Sequence, residues 1–113
     1  MPDPTPIPEV DVAVFAVAHA DGGYVLDVRQ PDEYEAVHVP GAILIPLDQL
    51  GDRIDEVPKD QHLYVICRSG GRSAAAVEAL TGAGYRATNV AGGTLGWIKD
   101  GHPTVTGPDA GER

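Results

Sequence analysis

The sequence predicts an α/β domain with a mainly parallel central sheet and helices on both faces. Three observations carry that expectation. Four short apolar runs, Tyr24 to Val28, Ala42 to Ile45, Leu63 to Ile66 and Ala87 to Val90, are rich in β-branched residues and nearly continuous in hydrophobicity, as strands covered on both faces require. Stretches with helix start and stop signals lie between these runs, and strands alternating with helices imply parallel pairing. The 113 residues, 42% hydrophobic and 22% charged, suit one soluble domain able to bury a single core without staples.

The elements follow in chain order. Residues 1–8 are proline-rich and read as a flexible N-terminal tail; residues 104–113 mix glycine, proline and acids without periodicity and read as a flexible C-terminal tail, leaving a domain over 9–103. Val12 to Ala18 alternates like a strand, yet Val12, Phe15, Ala16 and His19 fall on one helical face, and a helix is expected. Pro31 to Ala36 places proline in a first turn followed by acids that complement the helix dipole. Ser73 is the expected cap of a helix whose buried stripe is Ala76, Val77, Leu80 and Ala83 and whose stop is Gly84. Thr94 to Asp100 forms a last short helix ending at Gly101. There is no internal repeat.

Charge and cysteine usage exclude several function classes. A formal net charge of −9 and a pI near 4.6 set this chain against nucleic acid and anionic membranes, both of which attract cations. No apolar run approaches the roughly 20 residues of a membrane span. The N-terminus lacks the basic-then-apolar layout of a signal peptide, so a cytoplasmic protein is expected. One cysteine forms neither an internal disulfide nor a dithiol redox pair. With His19, His38, His62 and His102 scattered along the chain, no metal-ligand spacing emerges, and no metal is expected.

That cysteine lies in "VICRSGGRS", Val65 to Ser73, where an apolar run ends and glycine, serine and arginine begin. With a strand ending at Ile66 and a helix starting at Ser73, Cys67 to Arg72 is a loop at the carboxyl edge of the sheet, where parallel α/β sheets bind ligands. The helix directs unpaired N–H groups and its positive dipole end at the loop. Gly70 and Gly71 allow backbone dihedrals that turn successive amides inward, and Arg68 and Arg72 add positive charge to an acidic background. A thiol in that field ionises readily, which makes Cys67 a candidate nucleophile. The bland alternative is a small hydrophobe capping a strand.

"CRSGGRS" resembles the active-site loop of single-domain rhodaneses, the thiosulfate-type sulfurtransferases. "LDVRQPDEYEAVHVPGAILIP", Leu26 to Pro46, is similar to the segment in which an Asp-Val-Arg strand end leads to an acidic helix and a Pro-Gly-Ala turn. "VAGGTLGWIKDGHP", Val90 to Pro103, resembles the family's closing pattern of paired glycines, a tryptophan helix and a Gly-x-Pro exit. The resemblance implies a rhodanese-like domain over 9–103 that moves a sulfane sulfur from thiosulfate or a persulfide donor to a thiol or cyanide through a persulfide on Cys67.

In that scheme the amides from Arg68 through Ser69, Gly70, Gly71 and Arg72 to Ser73 stabilise the sulfur anion, and Arg68 and Arg72 attract an anionic donor. No cofactor is required, and a sulfur-relay protein is a possible partner. Asp27 and Arg29 support the loop, help bind the donor or, more simply, form a buried structural ion pair or hydrogen-bond anchor. His38 reads as part of a turn, Phe15, Tyr34 and Trp97 as core anchors, and Glu33 and Glu35 as a solvated helix face. Two rivals stand beside the enzyme. One is a sulfur-carrier or regulatory module for a protein partner. The other is a cysteine phosphatase or arsenate reductase of the same fold, whose loop has five residues between Cys and Arg where this chain has four.

Overall fold

The computed structural model describes residues 7–112; residues 1–6 of the expected N-terminal tail, and residue 113, lie outside the described residues. The chain runs β1 (Glu9–Val10), α1 (Val12–Ala20), β2 (Tyr24–Asp27), α2 (Pro31–Ala36), β3 (Ile43–Leu44), α3 (Leu47–Leu50), a 3-10 turn (Ile54–Glu56), β4 (Leu63–Ile66), α4 (Gly71–Gly82), β5 (Ala87–Val90) and α5 (Gly93–Lys99). The strands lie in the order β1-β5-β4-β2-β3, and each neighbouring pair is parallel.

The ambiguous segment at the N-terminus is a helix. Asp11 caps it by accepting the Val14 amide at 2.9 Å, and Val12, Phe15 and His19 form its buried stripe. Burial of that stripe against the sheet decides for 3.6-residue periodicity over alternation. Adjacent residues of the central strands feed opposite faces. Leu26, Leu63 and Val65 join Leu50, Val57, Ala76, Val77 and Leu80 in one cluster, which places α3 and α4 on one face. Val25 and Ile66 join Val12, Phe15, Tyr34 and Trp97 in the other, which places α1, α2 and α5 opposite. Phe15, Tyr34 and Trp97 are the core anchors expected of them.

Chain connections diverge between β4 and β2: α4 carries the chain from β4 to β5, and α2 carries it from β2 to β3 on the other side. That divergence opens a crevice at the carboxyl ends of the two strands. The register sets Asp27, the last residue of β2, beside Ile66, the last of β4. Cys67 and Val28 follow them at the crevice.

Residues 7–10 and 105–110, near either end of the described residues, are tied to the domain by backbone hydrogen bonds and packing. The Pro8 carbonyl accepts the Asn89 amide at 2.8 Å, leading β1 onto the sheet edge beside β5, and Ile7 packs on the core. At the other end, His38 and Val105 exchange backbone hydrogen bonds of 2.8 and 2.9 Å, Gly107 donates to the Glu35 carbonyl, and Gly41 donates to the carbonyl of Ala110. The buried His38 ring stacks on Tyr34 with 3.7 Å between centroids and directs its nitrogens at the carbonyls of Tyr34 and Ala110. Polar backbone left open by the turn around Pro40-Gly41 attracts this segment, which composition alone does not register.

Candidate active site

The loop between β4 and α4 is shorter than the sequence suggests. α4 begins at Gly71, with Gly70 as its N-cap at φ 119°, a conformation that favours glycine. Gly71 is already helical, has no positive φ, and has open space where a side chain would stand. Ser73 is therefore not the cap. It lies inside the first turn, fully buried, with its hydroxyl turned toward the sulfur. The reason is local: a left-handed glycine at position 70 lets the chain enter the helix three residues sooner than a side-chain cap at Ser73 would.

Cys67 is 1% exposed and packs in the cluster shared by α3 and α4, so it is both a core residue and the centre of the loop. The Gly70 amide donates to its Sγ at 3.1 Å, and the Ser73 hydroxyl lies 3.3 Å from the same atom. Burial pushes the thiol up, but the Ser73 hydroxyl and the amides of Ser73, Gly70 and Ser69 outweigh it, and the thiol titrates below its ordinary value. Backbone and hydroxyl dipoles are thus the main stabilisers of the thiolate.

The Ser73 hydroxyl is also 2.5 Å from Asn89 Oδ1 on β5. Asn89 is oriented by its other end, where Nδ2 donates to Glu9 Oε1 at 2.9 Å and to the Gly70 carbonyl at 3.3 Å. A hydroxyl has one proton. Ser73 donates it to Asn89 when Cys67 is a thiol, and a thiolate at 3.3 Å competes for it. Sequence reading missed Asn89; its one signal is an amide side chain in a short, fully buried strand.

The three arginines at the crevice are not alike. Arg29 forms a buried pair with Asp27, with Nη2 2.8 Å from Oδ2 and Nε within 3.1 Å of both carboxylate oxygens. Its remaining donors go to the carbonyls of Glu33 and Val37. Arg72 is clasped by Glu33, at 2.6 Å from Nη1 to Oε1 and 2.8 Å from Nη2 to Oε2. The Arg72 guanidinium holds the Glu33 carboxyl down to about 2 against burial, with help from the Gln30 amide and Arg29. Glu33 is therefore part of the loop's support, where the sequence suggested a solvated face. Arg68 is exposed, and its guanidinium has no hydrogen-bond or ion-pair partner among the described residues.

The paired glycines ahead of α5 have a packing reason. The Thr94 amide and hydroxyl donate to the Cys67 carbonyl at 2.9 and 3.1 Å, and the Leu95 amide donates to the Arg68 carbonyl at 3.1 Å. Gly93, at φ 58°, lies so close that an added Cβ would meet the Cys67 oxygen at 2.5 Å. The start of α5 thus buttresses the loop from behind. What results is a buried thiol whose ionised form the surrounding dipoles favour, at the carboxyl edge of the sheet and followed by an exposed arginine, a combination with the chemical character of a nucleophile.

Comparison with known proteins identifies the family and the fold. Residues 13–100 match the family model of the Rhodanese-like domain. A protein of Allochromatium vinosum named sulfurtransferase is 36% identical over 100 residues, covering 86% of this chain and 94% of its own. The putative sulfur carrier protein YrkF of Bacillus subtilis is 35% identical over 94 residues, covering 80% of this chain; the chain spans about half, 51%, of that relative. The crystal structure of a rhodanese-related protein from Thermoplasma volcanium superposes with a TM-score of 0.83 at 35% identity, covering 87% of this chain and 97% of that one.

Proposed function

The chain belongs to the family of rhodanese-like domains, and on that premise we propose that it is a sulfurtransferase that carries sulfane sulfur on Cys67. The Cys67 thiolate attacks the outer sulfur of thiosulfate or of a persulfide donor; the donor's S–S bond breaks, and sulfite or a thiolate leaves with the electron pair. The enzyme then holds a Cys67 persulfide. A thiol or cyanide acceptor attacks the terminal sulfur and returns Cys67 to the thiolate. Amides of Ser69, Gly70 and Ser73 and the Ser73 hydroxyl hold the anionic sulfur through both halves. Asp27 and Arg29 act by bracing the crevice, and a lone thiol that must stay reduced suits the cytoplasm.

The observation that carries this reading is the sulfur itself, held 3.1 Å from the Gly70 amide in a cradle whose donors fit one anionic atom. The similarity to a putative sulfur carrier supports a second reading, in which the persulfide passes to a protein acceptor with little turnover of free donor. Thiocyanate formation from thiosulfate and cyanide by wild type, lost in Cys67→Ser, supports the enzyme. Persulfide formation without thiocyanate selects the carrier, and Cys67-dependent hydrolysis of an aryl phosphate selects the phosphatase instead.

A further inference from the structure

Beside the catalytic loop lies a recess of about 230 Å³, with an apolar wall of Val37 after α2 and Leu95 and Ile98 of α5, completed by Thr94 and by the charged residues Arg29, Glu33 and Arg68. Leu95 and Ile98 remain 47% and 42% exposed, so the recess offers apolar surface that a ligand can cover. The recess adjoins the cradle through its own walls: Arg68 directly follows Cys67, and the Thr94 amide holds the Cys67 carbonyl at 2.9 Å. Of the three arginines at the crevice, Arg29 is cancelled by Asp27 and Arg72 by Glu33, leaving Arg68 as the one there whose charge has no ion-pair partner among the described residues.

We infer that the site selects a sulfane donor bearing one negative charge and an apolar substituent, of the organic persulfide or thiosulfonate class, and that Glu33 sets this selectivity by cancelling the charge of Arg72. The inference rests on the sulfur-transfer reading. One unpaired cation balances one anionic charge, and a dianion such as thiosulfate would find half its charge unmatched. The substituent on the donor takes the recess between Leu95 and Ile98 while its outer sulfur faces Cys67. For a thiosulfonate, Cys–S⁻ plus R–SO₂–S⁻ gives Cys–S–S⁻ plus the sulfinate R–SO₂⁻, so charge and atoms balance without any oxidant or reductant.

The experiment compares thiosulfate, methanethiosulfonate and benzenethiosulfonate as donors to cyanide, each rate divided by its rate with a free thiolate to remove intrinsic reactivity. Wild type is expected to use the benzene compound best and thiosulfate least. Glu33→Gln keeps an amide oxygen for the Gln30 cap but adds one net positive charge. Coulomb energy doubles with ligand charge, so if kcat/KM rises about threefold for the two monoanions it rises about ninefold for thiosulfate. The gain appears in KM and fades at high salt. Glu33→Asp, which keeps the charge, returns the donor ratio to that of wild type, whereas a merely structural role would make both variants fail on all donors alike. Leu95→Ser shrinks the advantage of the benzene over the methane compound. Equal factors for thiosulfate and the monoanions in Glu33→Gln, or no advantage of the apolar donors in wild type, overturns the inference while leaving sulfur transfer standing; no sulfur taken by wild type from any of the three overturns both.

Discussion

Replacing Gly93 by alanine tests how the loop is supported. The new Cβ would lie 2.5 Å from the Cys67 carbonyl oxygen and 2.6 Å from that of Arg68. Ordinary C···O contacts begin near ~3.3 Å, so the loop and α5 must part by roughly 0.8 Å. Parting by that amount stretches the Thr94 and Leu95 amide bonds, now 2.9 and 3.1 Å, beyond useful length. Alanine at a φ of 58° adds backbone strain. Together the strain and the two weakened bonds come to about 4 kcal/mol, a large part of the stability of a typical domain. Sulfur uptake falls further, by about 100-fold, because amides displaced by nearly an ångström no longer face the sulfur. Gly71→Ala is the control: open space and a helical φ predict unchanged or slightly higher stability. Urea titration and the rate of sulfur uptake read both variants. A Gly93→Ala protein within about 0.5 kcal/mol of wild type, with normal uptake, would refute the packing account.

Other perturbations separate the remaining roles. Ser73→Ala removes one of the groups that pull the Cys67 thiol down, so the midpoint of iodoacetamide alkylation against pH moves upward and the rate at neutral pH drops; an unmoved midpoint assigns the thiolate to backbone amides alone. Asp27→Asn leaves a buried guanidinium without its carboxylate and costs about 3 kcal/mol in urea unfolding, whereas a small change there would mean that Arg29 is solvated when freed. Truncation after residue 104 removes the bonds to His38 and Gly41, and should lower the melting temperature while the truncated protein still takes up sulfur; an unchanged melting temperature would show the segment to be unimportant to the turn.

Patterning exposed α1, α2, α4 and α5, four of the strands and the cysteine loop because each rests on local chemistry: β-branched runs, a first-turn proline, and glycines around one thiol. What it concealed is long-range. β1 is two residues long and exists because Asn89 and Ala91 of the β5 edge donate to the carbonyls of Pro8 and Val10, and α3 is a single turn held by packing. The Glu33–Arg72 clasp joins residues 39 apart in sequence, and Asn89 reaches Glu9 across 80. Acids on a short helix look solvated until the fold brings an arginine to them. The cap of α4 was misplaced for a different reason: serine signals a cap by its side chain, and Gly70 makes one with backbone conformation, so neighbouring cues of similar weight compete.

The central claim is that Cys67 itself carries the transferred sulfur. Intact-protein mass after incubation with a sulfane donor, followed by peptide mapping, tests it most directly. A gain of one sulfur atom located on Cys67, removed by cyanide or dithiothreitol and absent from Cys67→Ser, is the expected result. A wild-type protein that stays at its unmodified mass with thiosulfate, methanethiosulfonate and benzenethiosulfonate alike, while its thiol still alkylates readily, would contradict the account.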